Sequence, residues 1–149
     1  MRHHAARFAN RTESLRDARN SVRTFVTACG FSEAEIHDVV LAVGEAVANA
    51  IEHGRSLGLF SVECRFAEDV LTVDVVDEGR GFASWDQVRS ARSGFGKDGL
   101  QIEAAPLRGF GIRIMFEMMD EVSYHEGGRR VRLIKHRAPA KIEEDTGTT

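Results

Sequence analysis

Asp38–Val39–Val40–Leu41–Ala42–Val43–Gly44–Glu45–Ala46–Val47–Ala48–Asn49–Ala50–Ile51–Glu52–His53–Gly54 is the stretch whose reading decides the rest of the chain. Ile36, Val40, Val43, Val47 and Ala50 recur at helical spacing, which predicts an amphipathic helix. Ser32 opens it, Glu35 three residues on completes a capping box, and Gly54 ends it. Glu45 and Asn49 are i and i+4 neighbours on one face, roughly opposite the apolar stripe. A carboxylate in that position accepts a proton or polarises a hydroxyl. The amide oxygen beside it suits a hard cation such as Mg2+. Asp38, Glu45, Asn49 and Glu52 also fit a plain solvated helix face, although Leu41, Ala42 and Ala48 on the same side argue for partial cover. The helix alone leaves both readings open.

Upstream, residues 3–9 read as a short edge strand. Thr12 to Ala28 reads as a helix, with Leu15, Ala18, Val22, Phe25 and Val26 on one face and Gly30 as its stop. Downstream, two strands are predicted at Leu59–Phe66 and Val70–Val76, joined by the turn Ala67–Glu68–Asp69. Phe60, Val62, Cys64 and Phe66 alternate with polar residues, as do Leu71, Val73 and Val75. Residues 82–107 carry no sustained period, and a connection this long is functional or mobile as a rule. Gly109–Phe110–Gly111 is predicted to open a helix from Ile112 to Met119. A hairpin closes the chain: Glu121–Glu126, the turn Gly127–Gly128, then Arg129–His136. The pattern predicts an α+β fold, a two-layer sandwich with a mixed, mostly antiparallel sheet and helices on one face.

Bulk properties narrow the function. The length of 149 residues suits one domain, assigned to 1–137, with a polar tail at 138–149 predicted to be disordered. A net charge of −3 gives no global argument for nucleic acid or an anionic membrane as partner. Cys29 and Cys64 form no CxxC pair, which leaves zinc unsupported, and they read as two small buried hydrophobes in a reducing cytoplasm. No apolar run approaches the roughly 18 residues that span a bilayer, and the first residues lack the apolar core of a secretory signal.

Two further motifs carry chemistry. Asp77–Glu78–Gly79–Arg80–Gly81–Phe82 places an aspartate at a strand end beside two glycines. The aspartate is a hydrogen-bond acceptor for an exocyclic amine such as adenine N6, and the glycines let backbone approach a flat base. The same residues also make an ordinary turn. Gly109–Phe110–Gly111 before a helix offers backbone N–H groups to an anion, or is simply a loop-to-helix junction. The upstream copy Gly94–Phe95–Gly96 has no amphipathic helix behind it and is set aside. His53 reads as a helix-end residue, and Arg89 and Arg92 as solvated. Neither a GxxxxGK[ST] loop nor an HRD or DFG set occurs.

The order of these parts carries more than any one of them. Glu-x-x-x-Asn on a helix, a hairpin ending in Asp-x-Gly-x-Gly, a long connection, Gly-x-Gly on a helix and a closing hairpin resemble the ATP-binding domain of gyrase, histidine kinases and mismatch-repair ATPases, the GHKL or Bergerat group. The stretches 44–54, 108–115 and 118–122, with the ending Gly127–Gly128–Arg129–Arg130–Val131–Arg132–Leu133, look most like the bacterial anti-sigma-factor serine/threonine kinases. The resemblance spans about residues 10–136. It implies the histidine-kinase-like two-layer fold, ATP and Mg2+ as cofactors, and a cytoplasmic homodimer, with residues 12–30 as the interface. It implies a sigma factor and a small anti-anti-sigma protein of STAS type as partners. By the same resemblance Glu45 is the catalytic base, and Asn49 holds Mg2+ and nucleotide. Asp77 reads adenine, with Gly79 and Gly81 shaping the pocket. Arg108, Gly109, Phe110 and Gly111 meet the phosphates, and 82–108 is the ATP lid. In many relatives an arginine stands one position earlier than Arg108, where this chain has Leu107. The alternatives are an ATP- or sigma-binding module without catalysis, and the catalytic part of a histidine kinase. The latter is disfavoured because no helix pair with an acceptor histidine is read ahead of the domain.

Overall fold

The computed structural model describes residues 1–53, 58–77 and 106–139; of 106–110 only the backbone is described. The elements in chain order are β1 (Arg2–Ala9), α1 (Ser14–Ala28), α2 (Glu33–His53), β2 (Leu59–Ala67), β3 (Val70–Asp77), α3 (Pro106–Met118), β4 (Glu121–His125) and β5 (Arg130–His136). The five strands form one sheet in the order β1-β2-β3-β5-β4. Every described pairing is antiparallel, so the mixed sheet expected from sequence is antiparallel throughout these strands. The topology explains this. Two tight hairpins, β2–β3 and β4–β5, build most of the sheet, and β5 returns to lie between β3 and β4.

Alternation along the strands separates two faces. Phe60, Val62 and Cys64 of β2, Leu71, Val73 and Val75 of β3, and Val131 and Leu133 of β5 are buried against the helices. From α1 come Ala18, Val22 and Val26; from α2 come Ile36, Val39, Val40, Val43, Val47 and Ala50. Burying a valine of this kind contributes about 1.5–3 kcal/mol. Cys29 and Cys64 are free thiols inside this core, and burial pushes the Cys64 thiol up to about 12.

The helix boundaries follow from their caps. Gly30, at φ 85°, turns the chain after α1. The capping box before α2 forms as predicted: the Ser32 N–H donates to Glu35 Oε1 at 2.8 Å, and the Glu35 N–H donates to Ser32 Oγ at 3.1 Å. Glu35 Oε2 also accepts from the Ala138 N–H at 2.8 Å. Burial raises the Glu35 carboxyl, but these donors outweigh it and leave it below the usual range. The expected stop at Gly54 lies outside the described residues.

Helix α3 starts at Pro106, not at Ile112, so Gly109 and Gly111 lie within it instead of opening it. Proline suits the first helical position because its φ is already fixed and its missing N–H is not needed there. The two glycines, each worth about 1 kcal/mol of lost helix propensity, had read as the start. The β2–β3 turn is also tighter than expected. Ala67 pairs with Val70, and only Glu68 and Asp69, at φ 54° and 67°, make the loop. The β4–β5 turn begins at Glu126 and uses Gly127 and Gly128 as anticipated.

The other face of the sheet is a charged lattice centred on Asp74, which is fully buried. Arg130 Nη1 donates to Asp74 Oδ2 at 2.7 Å, and Arg132 donates to both carboxylate oxygens at 2.9 Å. Arg65 stands 3.8 Å away and also pairs with Glu63. Burial raises the Asp74 carboxyl, but the Arg132 and Arg130 hydrogen bonds overcome it and hold the group below the usual aspartate range.

Candidate functional site

Helix α2 runs under the sheet and is covered on more than one side. Its apolar stripe faces the strands, and α1 and α3 pack along its flanks. This decides the question left open by the sequence. The Glu45/Asn49 side of α2 is not a wet face: Glu45 is half-buried, and Asn49 retains only 8% of its exposure. Asn49 Nδ2 is buried with no hydrogen-bond partner among the described residues. Exchange of amide nitrogen and oxygen is a half-turn of the side chain, so this position serves as donor or acceptor. A buried amide left this way costs free energy unless a ligand or water completes it.

Helix α3 closes on the pair at Gly111. A Cβ at Gly111 would lie 2.9 Å from Glu45 Oε1, 3.9 Å from its Cδ and 4.0 Å from Asn49 Nδ2. The i, i+4 pair Glu45 and Asn49 of α2 and the sequence-distant Gly111 of α3 therefore meet where the two helices cross. On the opposite flank, Gly44 receives Arg19 of α1. A Cβ at Gly44 would fall 2.7 Å from Arg19 Nε and 3.1 Å from Nη2. Arg19 was not singled out in the sequence. Its signal was Gly44 itself, because glycine in mid-helix costs about 1 kcal/mol and marks a close approach.

Asp77 ends β3 opposite Phe60, on the row that carries Leu71, Val73 and Val75 towards the helices. It is 3% exposed, and its N–H donates to the Arg129 carbonyl at 2.9 Å, which ties the strand end to the closing hairpin. Gly79, Gly81 and residues 82–105 of the expected lid 82–108 lie outside the described residues. Arg108, Gly109 and Phe110 lie on the first turns of α3, described as backbone only. His53 is the last described residue of α2, and the residues that follow it lie outside the described ones.

The residues present fit a nucleotide with a divalent cation. Asn49, whose Nδ2 is unpartnered among the described residues, supplies a polar group, and bare backbone at Gly111 keeps the space beside it free of a methyl group. Among the described residues, no cluster of three acidic, histidine or cysteine side chains stands ready to hold a metal by itself. Mg2+ is commonly bound by one or two protein groups together with substrate phosphates. Also among the described residues, no helix is long and apolar enough to cross a membrane.

The comparisons bear on the family and the fold. Residues 8–135 match the model of the histidine kinase-like ATPase domain family. The chain is 30% identical over 131 residues to the serine-protein kinase RsbW of Listeria innocua, covering 85% of this chain and 82% of that one. It is 32% identical over 133 residues to the anti-sigma F factor of Clostridium beijerinckii, covering 86% and 89%. Among solved structures, the RsbU and RsbW domains of a Mycobacterium tuberculosis protein share the fold at TM-score 0.66 and 19% identity, over 95% of this chain and 34% of that longer one. The chain belongs to the histidine kinase-like ATPase domain family, of GHKL type, in the group of RsbW-like serine-protein kinases and anti-sigma factors.

Proposed function

We propose that this protein is an ATP-dependent serine/threonine kinase that also acts as an anti-sigma factor. It phosphorylates a small anti-anti-sigma protein of STAS type and sequesters a sigma factor, as a homodimer in the cytoplasm. The observation that carries the reading is the convergence of Glu45, a buried Asn49 whose Nδ2 has no partner among the described residues, and Gly111 at one helix crossing. The named relatives at about this level of identity support it.

Bound ATP with Mg2+ supplies the transferable phosphoryl group and the charge neutralisation that such transfer requires. The chain's own residues position and activate. Asn49 holds the cation against the phosphates. Glu45 orients the acceptor hydroxyl and takes its proton. Asp77 accepts a hydrogen bond from the adenine amine, and Gly79 and Gly81 shape the base pocket. Arg108, Gly109, Phe110 and Gly111 line the phosphates.

The test is incubation of the native protein with γ-labelled ATP, Mg2+ and a STAS-type antagonist. Label on a serine or threonine of the antagonist is the expected result. No transfer by the native protein rejects the kinase reading.

A further inference from the structure

Gly111 belongs to a motif ordinarily read for its backbone flexibility near phosphates. Its geometry here says something different. It lies inside α3, beyond the first turn, and what meets its missing side chain is the Glu45 carboxylate. We infer that Gly111 is a positioning residue for Glu45: bare backbone of α3 sets where the carboxylate of the base stands.

The argument is steric. Real Cβ contacts are essentially never shorter than 3.0 Å, and ordinary contact begins near 3.4 Å. A methyl group at 2.9 Å must push its neighbour away by about half an ångström. The atom that meets it is the far end of a flexible side chain, so the carboxylate swings and the fold survives. A bulkier residue at position 111 therefore aims Glu45 wrongly before it damages anything else. Asn49 Nδ2, at 4.0 Å, already lies at ordinary contact distance and need not move. The consequence is unequal: transfer falters more than nucleotide binding does. Misplacement of a reacting group by about 1 Å costs on the order of 100-fold in rate.

Gly109, two residues earlier, would not substitute for this role. On a helix, positions i and i+2 point about 200° apart, so the two positions do not share a face.

The inference rests on the kinase reading, and its test separates the two. Gly111→Ala, made in the full chain, should lower phosphate transfer at saturating ATP by about tenfold or more. Affinity for a non-hydrolysable ATP analogue should fall by a factor at least several times smaller, because a purely phosphate-lining role would lower the two in step. Glu45→Asp draws the carboxylate back by one methylene and makes room for the methyl. The double variant Gly111→Ala/Glu45→Asp should therefore transfer no more slowly than Glu45→Asp alone. Losses that multiply in the double variant, or affinity falling in step with rate, would overturn the inference. A crystal structure of Gly111→Ala gives a readout independent of activity. A displaced Glu45 carboxylate supports the positioning role, and an unmoved one refutes it. If the native protein transfers no phosphate the kinase reading fails, yet that structure still decides what sets the Glu45 side chain.

Discussion

Replacing Asn49 with leucine should make the protein more stable and functionless at once. Asn49 is 8% exposed, and its Nδ2 has no partner among the described residues. Burying an amide donor unpaired costs about 1–3 kcal/mol. Leucine is close in shape, removes that cost and adds apolar contact between α2 and α3. Gly111 of α3, facing this side of α2, carries no side chain, and even a Cβ built there would lie 4.0 Å from Asn49 Nδ2, an ordinary contact distance. The net expectation is a gain of roughly 2 kcal/mol. For a chain near 150 residues each kcal/mol moves Tm by about 2–4 °C, so the rise should be roughly 4–8 °C. Differential scanning calorimetry of nucleotide-free protein reads the first half of the prediction, and calorimetric titration with an ATP analogue and Mg2+ reads the second. Asn49→Leu should show the higher Tm and no measurable Mg2+-dependent binding. A lower Tm would mean that the amide is satisfied structurally. Unaltered binding would mean that Asn49 is not part of the nucleotide site. Either result refutes the reasoning.

Other perturbations follow from the same contacts. Asp74 is buried and held below the usual aspartate range by Arg132 and Arg130 despite the opposing effect of burial. Its contribution to stability is therefore full above the unfolded value near 4 and is lost as pH falls through the lower folded value. Asp74→Asn should flatten the acid limb of a stability-against-pH curve, as measured by urea titrations at several pH values, and should lower stability at neutral pH by about 3 kcal/mol. Glu68 occupies φ 54° in the two-residue β2–β3 turn, a region that costs a bulky residue about 1 kcal/mol. Glu68→Asn should raise Tm by a few degrees. An unchanged or lower Tm would show that the turn carries no strain.

The sequence was most legible where one rule decided an element. Alternation placed β2 and β3, the Ser32/Glu35 pair marked the start of α2, and Gly127–Gly128 marked the last turn. It was misleading where two rules competed. Gly109 and Gly111 look like a loop-to-helix junction by propensity, but Pro106 can begin a helix and tertiary contact can pay for glycine inside one. Gly111 is there for its closeness to Glu45, which no local pattern reveals. Asp74 alternates like a solvated strand residue, yet it is fully buried because arginines from β2 and β5 close over it. That depends on which strands become neighbours. The role of the Glu45/Asn49 face was undecided for the same reason: periodicity gives the face, and only the packing of α3 shows that it is covered. Arg19 entered through a glycine in another helix, a long-range fit that a single element cannot announce.

Glu45 carries the claim that this protein catalyses transfer as well as binding nucleotide. Glu45→Gln keeps the size and the contact with Gly111 while removing the capacity to take a proton. Paired measurements of ATP-analogue affinity and of phosphate transfer to a STAS-type antagonist test it most directly. The account predicts affinity within about threefold of the native protein and transfer reduced by on the order of 100-fold or more. Transfer by Glu45→Gln at close to the native rate would contradict it.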